Sequence, residues 1–429
     1  MFIVVILLIV GICMTAATGF VQVRKLGASL RQVGRSVRVP TEGVSPFQAV
    51  CTALAATVGT GNIAGVAGAI ALGGPGAVFW MWVSAFLGMA TKYAEVVLAM
   101  RHGSPMGYME KGFGRKWPAM AFCFSAVLVS FGMGNMAQVH TIASAVRTAL
   151  PQYEVSLAVG ILAACLVSLV SFGGAKRVGQ VMEYLVPVAA LLYIVGGMTV
   201  VCAHWRRLPE VLALIVREAF SPCAAIGGGV GAAVRWGVTR GVFSNEAGLG
   251  SAPLAHAAAN ARPEEQGLLG IFEVFLDTIV LCTLTALTIL VSGVEVPYGQ
   301  AAGAELAVSA LETVIGPSAA AMTAICLSLL ALATLMSWQL YGSRCAAYLF
   351  GRSGARIYRL IFPAVIVLGA VMDLTAVWRL SESFNALMAL PNLAALLTLR
   401  KEFGEPSRCF TVSNRANNPP VSLEADSPL

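Results

Sequence analysis

Apolar runs of about 20 residues, each long enough to cross a hydrocarbon layer about 30 Å thick, recur along the whole 429-residue chain. Only 11% of the residues are charged, whereas a soluble domain carries about 25%. Such a surface cannot face water on all sides, so the sequence is that of an all-α polytopic membrane protein. A soluble enzyme, a nucleic-acid binder and a secreted disulfide scaffold are excluded, and the +7 net charge is read through the position of the basic residues. Ten cysteines without a CxxC pair and four histidines without an HExxH spacing give no metal or disulfide framework. Cysteines scattered through apolar runs serve as small packing residues.

Segments bounded by charges, Pro and Gly predict helices near 2–20, 46–70, 77–100, 119–146, 155–170 and 184–203, then 226–259, 268–293, 318–343, 360–377 and 384–399. That is about eleven spans. The first segment could be a signal peptide, but it lacks a basic start and is followed by Arg24, Lys25, Arg31, Arg35 and Arg38, so it reads as a retained helix. Counting alternate gaps and the C-terminal tail together places 20 of the 28 Lys and Arg on one side. Basic residues in short loops stay cytoplasmic, so the N-terminus is expected outside and the C-terminus inside, in a bacterial inner membrane. Residues 402–429 turn polar and are expected to form a disordered cytoplasmic tail.

Two of the spans are interrupted. Ala55-Ala56-Thr57-Val58-Gly59-Thr60-Gly61-Asn62-Ile63-Ala64-Gly65 lies inside the second, and Phe243-Ser244-Asn245-Glu246-Ala247-Gly248-Leu249-Gly250-Ser251-Ala252-Pro253 inside the seventh. Glycines alone could serve close helix packing. Packing does not account for Asn62, Asn245 and Glu246 at the same points, because a polar or charged group at membrane depth is costly and usually functional. With the first helix set aside, two sets of five spans remain, 46–203 and 226–399, each opening with a broken helix. An odd number of spans per set inverts the second relative to the first, the layout of an inverted-repeat secondary transporter. Each half of a broken helix ends in unpaired N–H or C=O groups. A carboxylate suits the N–H end, and an ammonium or Na+ suits the C=O end. The pair therefore suits a small zwitterion.

At these residues the chain resembles the alanine or glycine:cation symporter family. Ser45-Pro46-Phe47 through Gly61-Asn62-Ile63-Ala64-Gly65-Val66 looks like that family's first broken helix, continuing through Gly73-Gly74-Pro75-Gly76 and Phe79-Trp80-Met81-Trp82 to Lys92-Tyr93-Ala94-Glu95. Phe243 to Ala259, with His256, is similar to its signature on the second. Weaker matches are Gly134-Asn135-Met136-Ala137-Gln138, Trp338 to Tyr341 and Asn385 to Asn392. The resemblance implies a five-helix inverted repeat of the leucine transporter type with one extra N-terminal helix (1–20), importing alanine or glycine with Na+ as coupling ion and no cofactor. It implies that N–H groups at Thr60, Gly61 and Asn62 hold the substrate carboxylate and carbonyls near Phe243 and Ser244 its amine. Gln138 would reach the substrate, with Trp338 and Leu249 limiting its side chain. One Na+ would use Ala55, Val58 and Thr334, and a second Thr57, Asn62 and Ser244.

Several positions depart from the family pattern. Ala333 precedes Thr334 where Ser-Thr is common, and His140 stands where Asn is usual; both keep H+ coupling as the alternative to Na+. Glu246 is expected to brace the break rather than ligate an ion, and Asp277, with Glu273, to serve a gate or a helix-packing network. Lys92 and Glu95, one turn apart, are expected to pair. His140 and His256 read as packing histidines, and Arg235 and Arg240 approach the second break, where they could meet Glu246 or Asp277. No filter loop, GxSxG, HExxH or nucleotide-binding P-loop occurs, so a channel, a membrane enzyme and an ATP-driven pump are weaker readings. The expected partners are the amino acid, Na+ and the lipid bilayer, without nucleic acid. Preferred amino acid, stereochemistry, Na+ stoichiometry and oligomeric state stay open at this level.

Overall fold

The computed structural model describes residues 2–37, 43–149, 152–221, 229–372 and 375–403. The tail expected over 402–429 lies, from 404 on, outside the described residues, as does the start of the second set at 226–228. Helices stand in every one of the eleven apolar segments. In chain order the first are α1 (Phe2–Ala17), α2 (Leu26–Ser36), α3 (Pro46–Thr57), α4 (Val66–Gly73) and α5 (Gly76–His102). Next come α6 (Pro105–Phe113), α7 (Trp117–Phe131), α8 (Ala137–Ala149), α9 (Ser156–Ser171) and α10 (Gly174–Ala203). The second half holds α11 (Leu208–Ala219), α12 (Gly229–Asn245), α13 (Ala252–His256), α14 (Pro263–Val274), α15 (Thr283–Ser292), α16 (Ala304–Ile315), α17 (Ser318–Val371) and α18 (Thr375–Thr398). Among the described residues the one extended pairing is a single bridge between Val44 and Ala259.

Among the described residues, five helical stretches are long and apolar enough to cross a membrane unaided: Gly76–His102, Trp117–Arg147, Gly174–Ala203, Pro263–Ser292 and Ser318–Val371. The pair Pro46–Thr57 and Gly61–Gly73, bent by 50°, makes a sixth. The loop expected between 343 and 360 is instead helical. α17 runs through it with one break at Gly351 (φ 68°), and Arg344, placed in that loop from sequence, is buried and donates to the Leu254 carbonyl.

Besides the single turn Val21–Arg24, four helices among the described residues stand where the apolar runs gave loops: α2, α6, α11 and α16. They are short, and the apolar ones among their residues lie on one side; in α16, Leu306, Ala307, Ala310 and Leu311 are buried while Glu312 and Thr313 are exposed. The i, i+3, i+4 spacing of that stripe explains why a helix of twelve residues forms here without an apolar run.

The apolar interior divides into two clusters. One surrounds the first break, with Ala55, Val58 and Ile63, and draws on α9, α10, α15, α16 and α17. The other surrounds the second break, with Ala247, Leu249 and Leu254, and draws on α1, α5, α6, α7 and α18. α1 belongs to the second: its Leu7 lies against Gly248 and its Gly11 against Leu87 of α5. The N-terminal helix thus covers one side of the second break.

Candidate functional site

α3 opens with a complete cap: the Ser45 side chain accepts from the Gln48 N–H and the Gln48 side chain from the Ser45 N–H, with Pro46 in the first turn. It stops at Val58, whose backbone is extended (φ −76°, ψ 110°). In a continuous helix the Gly59 N–H would serve the Ala55 carbonyl. Here it goes to the Asn62 side-chain oxygen at 2.8 Å. The Ala55 carbonyl is thereby released, and it accepts the Thr334 hydroxyl from α17 at 2.8 Å; that hydroxyl also serves Leu330 at 3.0 Å. The chain resumes at Gly61–Gly65 in a π-helical turn that runs into α4.

The second break follows the same logic with different parts. The Ala247 N–H goes to the Asn245 side chain at 3.0 Å instead of reaching the Phe243 carbonyl. Glu246 has φ 53°, a left-handed backbone uncommon for a residue with a side chain. Gly248 (φ 91°) and Gly250 (φ 78°) complete the turn where only glycine fits without strain. Side chains from far along the chain then tie the loop down. Glu95 of α5 accepts the Gly250 N–H at 3.0 Å and the Asn392 amide, while Asn392 of α18 also donates to the Gly248 carbonyl at 2.9 Å. The Glu246 carboxylate accepts from Ser251, and the Tyr108 hydroxyl donates to Asn392.

Asn62 joins the two breaks. Its amide nitrogen meets the Ser244 hydroxyl at 3.0 Å, the Asp277 carboxylate at 2.7 Å and the Asp277 carbonyl at 3.0 Å. Ser244 in turn donates to the other Asp277 oxygen at 2.8 Å. Gly61 approaches Ser244 closely enough that a Cβ there would touch its backbone at 3.5 Å. All of these side chains are buried.

The candidate residues therefore fall into groups. Ala55 meets Thr334, and Asn62 and Gly61 meet Ser244. Thr57 is turned away from that cluster, its hydroxyl bonded to the Ala53 and Leu54 carbonyls of its own helix. The Thr60 and Gly61 N–H groups stand at the start of the resumed helix, while the Asn62 N–H is bonded to the Gly59 carbonyl at 3.3 Å. Leu249 and Trp338 are buried in the same apolar cluster, with Phe243 at its edge. Gly134 fits beneath the Trp338 indole, where a Cβ would overlap the ring. Gln138 donates to the Met133 carbonyl at 3.0 Å, and its side-chain oxygen and the Trp338 indole N–H are buried and meet no partner among the described residues. Two polar atoms with partners still to be made suit a pocket that receives a polar ligand.

Lys92 does not pair with Glu95. Its ammonium lies 3.1 Å from Glu273 of α14, and the other Glu273 oxygen meets His256 at 3.1 Å. His256 is held in turn by Gln266 at 2.7 Å. The two residues of α5 one turn apart thus serve different neighbours, Lys92 the buried pair and Glu95 the loop. Arg235 and Arg240 lie over aromatic rings, Arg240 over both Trp236 and Phe243 at 5.5 and 5.7 Å.

Two features escaped sequence reasoning. Asp277 reaches the Asn62–Ser244 cluster itself. Three π-helical stretches also flank the candidate residues: Gly61–Gly65 holds Asn62, Gly132–Met136 precedes Gln138, and Phe275–Cys282 carries Asp277. π-Helix is rare overall and concentrates at functional sites. The Gly-x-Gly of Gly132 and Gly134 was the available signal for the second.

A sequence model of the sodium:alanine symporter family matches residues 1–422. The chain is 41% identical to the sodium/alanine symporter AgcS of Methanococcus maripaludis, over 96% of this chain and 95% of that one. It is 38% identical to the probable sodium/glutamine symporter GlnT of Bacillus subtilis, over 97% and 89%. Among solved structures, MhsT in complex with L-phenylalanine superposes with a TM-score of 0.63 at 13% identity, covering 84% of this chain and 90% of that one. At that identity the likeness concerns the fold alone, the inverted-repeat fold of the leucine transporter type.

Proposed function

The chain belongs to the sodium:alanine symporter family, and from that membership we propose that it imports alanine or glycine together with Na+. The observation that carries this reading is the meeting of the two helix breaks at Asn62 and Ser244, with an unpaired N–H end on one side and released carbonyls on the other. The substrate carboxylate sits at the Thr60 and Gly61 N–H groups, where the helix start favours negative charge. Its ammonium sits at the Phe243 carbonyl, which the Asn245 side chain has freed from Ala247. Gln138 contacts the substrate through its unpartnered oxygen, and Leu249 and Trp338 keep the side chain small.

One Na+ takes the Ala55 and Val58 carbonyls and the Thr334 hydroxyl; a second takes the Ser244 hydroxyl beside Asn62, whose own side-chain oxygen is held by the Gly59 N–H. Hard oxygen donors of this kind suit a small cation. The chain crosses the membrane about eleven times, α1 preceding two inverted sets at 46–203 and 226–399, with the N-terminus outside. Transport follows from rocking the bundle that carries the breaks against the remaining helices, with α1 and Glu95 bracing the second break.

Ala333 beside Thr334 leaves one hydroxyl at the first cation position, which favours H+ as the competing driving ion. Uptake of labelled alanine into proteoliposomes, under an inward Na+ gradient or an inward H+ gradient, separates the two. Accumulation under Na+ alone is expected, with unlabelled glycine competing more strongly than glutamine. Accumulation under H+ alone would contradict the Na+ reading.

A further inference from the structure

The Asn62 amide nitrogen has two protons to donate, yet it faces three oxygens at 2.7–3.0 Å, the Ser244 hydroxyl, the Asp277 carbonyl and the Asp277 carboxylate, with the Cys282 sulfur at 3.4 Å. More acceptors converge on this point than an amide can serve. One of them is a carboxylate at 0% exposure. The donors to the Asp277 carboxylate, Asn62, Ser244 and Thr278, are all neutral. Among the described residues Asp277 joins no ion pair, whereas Glu273, one turn earlier, has both Lys92 and His256. A buried carboxylate held only by neutral groups is costly unless a cation joins it. The π-helical stretch Phe275–Cys282 also turns the Asp277 main-chain carbonyl toward the same point, so that one residue offers two kinds of oxygen.

We infer that Asp277 is the charged ligand of the second cation position, completing it with Ser244 and the Asp277 carbonyl, and that Na+ binds there without the amino acid. An arriving Na+ displaces the Asn62 N–H groups from this ring, and the oxygens remain to hold it. The negative charge belongs to the protein, so the position does not wait for the substrate carboxylate to neutralise the ion. Na+ loading then precedes amino-acid binding. This inference rests on the Na+-coupled reading above and adds a ligand and an order of events to it.

Equilibrium binding of radioactive Na+ to purified protein, with no amino acid present, tests it. The unaltered chain is expected to bind two Na+. Asp277→Asn is expected to lose one of them or weaken it by about 100-fold or more, while Thr334→Val weakens the other. Size-exclusion profiles and thermal unfolding in Na+-free buffer establish that each variant is folded. Two outcomes overturn the inference: unchanged binding in folded Asp277→Asn, or a second Na+ that the unaltered chain takes up only after alanine is added. The second needs no variant, so a failure of Asp277→Asn to fold leaves the test intact. Absence of any Na+ binding, with uptake driven by H+, would instead defeat the Na+-coupled reading itself.

Discussion

The two helix breaks solve one problem in two ways. The first is closed locally: Asn62, three residues on, takes the Gly59 N–H, and the polar groups that remain point to Ser244, Asp277 and Thr334. The second has a local cap too, Asn245 on the Ala247 N–H, but the loop beyond it is held from a distance, by Glu95 of α5 and Asn392 of α18, and stands beside the buried Lys92–Glu273–His256 group. A break capped by its own side chain keeps its released groups for ligands. The loop after the second break, from Gly248 to Gly250, is tied to neighbouring helices and is a part of the scaffold. Substitutions of the groups that tie the second loop to its neighbours are therefore expected to act on stability, and substitutions at the first break, or at Ser244 where the two meet, on transport.

The largest effect expected is at Lys92. Lys92→Met leaves Glu273 buried with His256 as its remaining partner, a change of about 3–5 kcal/mol for breaking such a pair. Thermal unfolding in detergent is expected to show a strongly lowered midpoint, and an unchanged midpoint would remove this group from the scaffold. Next comes Asn62→Ala at the first break, which gives up two or three buried hydrogen bonds at about 1 kcal/mol each. Initial rates of alanine uptake are expected to fall roughly 100-fold while the unfolding midpoint moves less than in Lys92→Met. The reverse pattern would break the contrast between the two regions.

Glu95→Gln keeps the shape of the brace and weakens its charge-assisted bonds by about 1–2 kcal/mol. A modestly lower unfolding midpoint with substrate affinity retained is the expected result. Thr334→Val should raise the Na+ concentration for half-maximal uptake by roughly tenfold, as one hydroxyl is lost, and Thr334→Ser should restore it. An equal effect of Ser and Val would show that the hydroxyl does not serve the ion.

Much of this was legible in the sequence. Both breaks announce themselves because glycines and polar residues have no reason to cluster inside an apolar run, and the eleven segments follow from run length. The partner helices of the second break were not legible. Glu95 and Asn392 lie 297 positions apart, and nothing local marks either as the other's neighbour. The same holds for Lys92, whose nearest carboxylate in sequence, Glu95, points to the loop while Glu273 arrives from α14. Asp277 was read as part of a gate because helical periodicity pairs it with Glu273; the π-helical stretch that redirects it leaves no trace in a 3.6-residue pattern. The short amphipathic helices α2, α6, α11 and α16 were missed because a search for runs of about 20 apolar residues passes over a stripe of four.

The central claim is that the two breaks form one site through Asn62 and Ser244, and a double-mutant cycle on Na+-dependent alanine affinity tests it most directly. Asn62→Ala, Ser244→Ala and the double variant are compared with the unaltered chain. The account predicts a coupling of about 1 kcal/mol or more, so that the double variant is far from the sum of the singles. Additive effects of the two substitutions would contradict it.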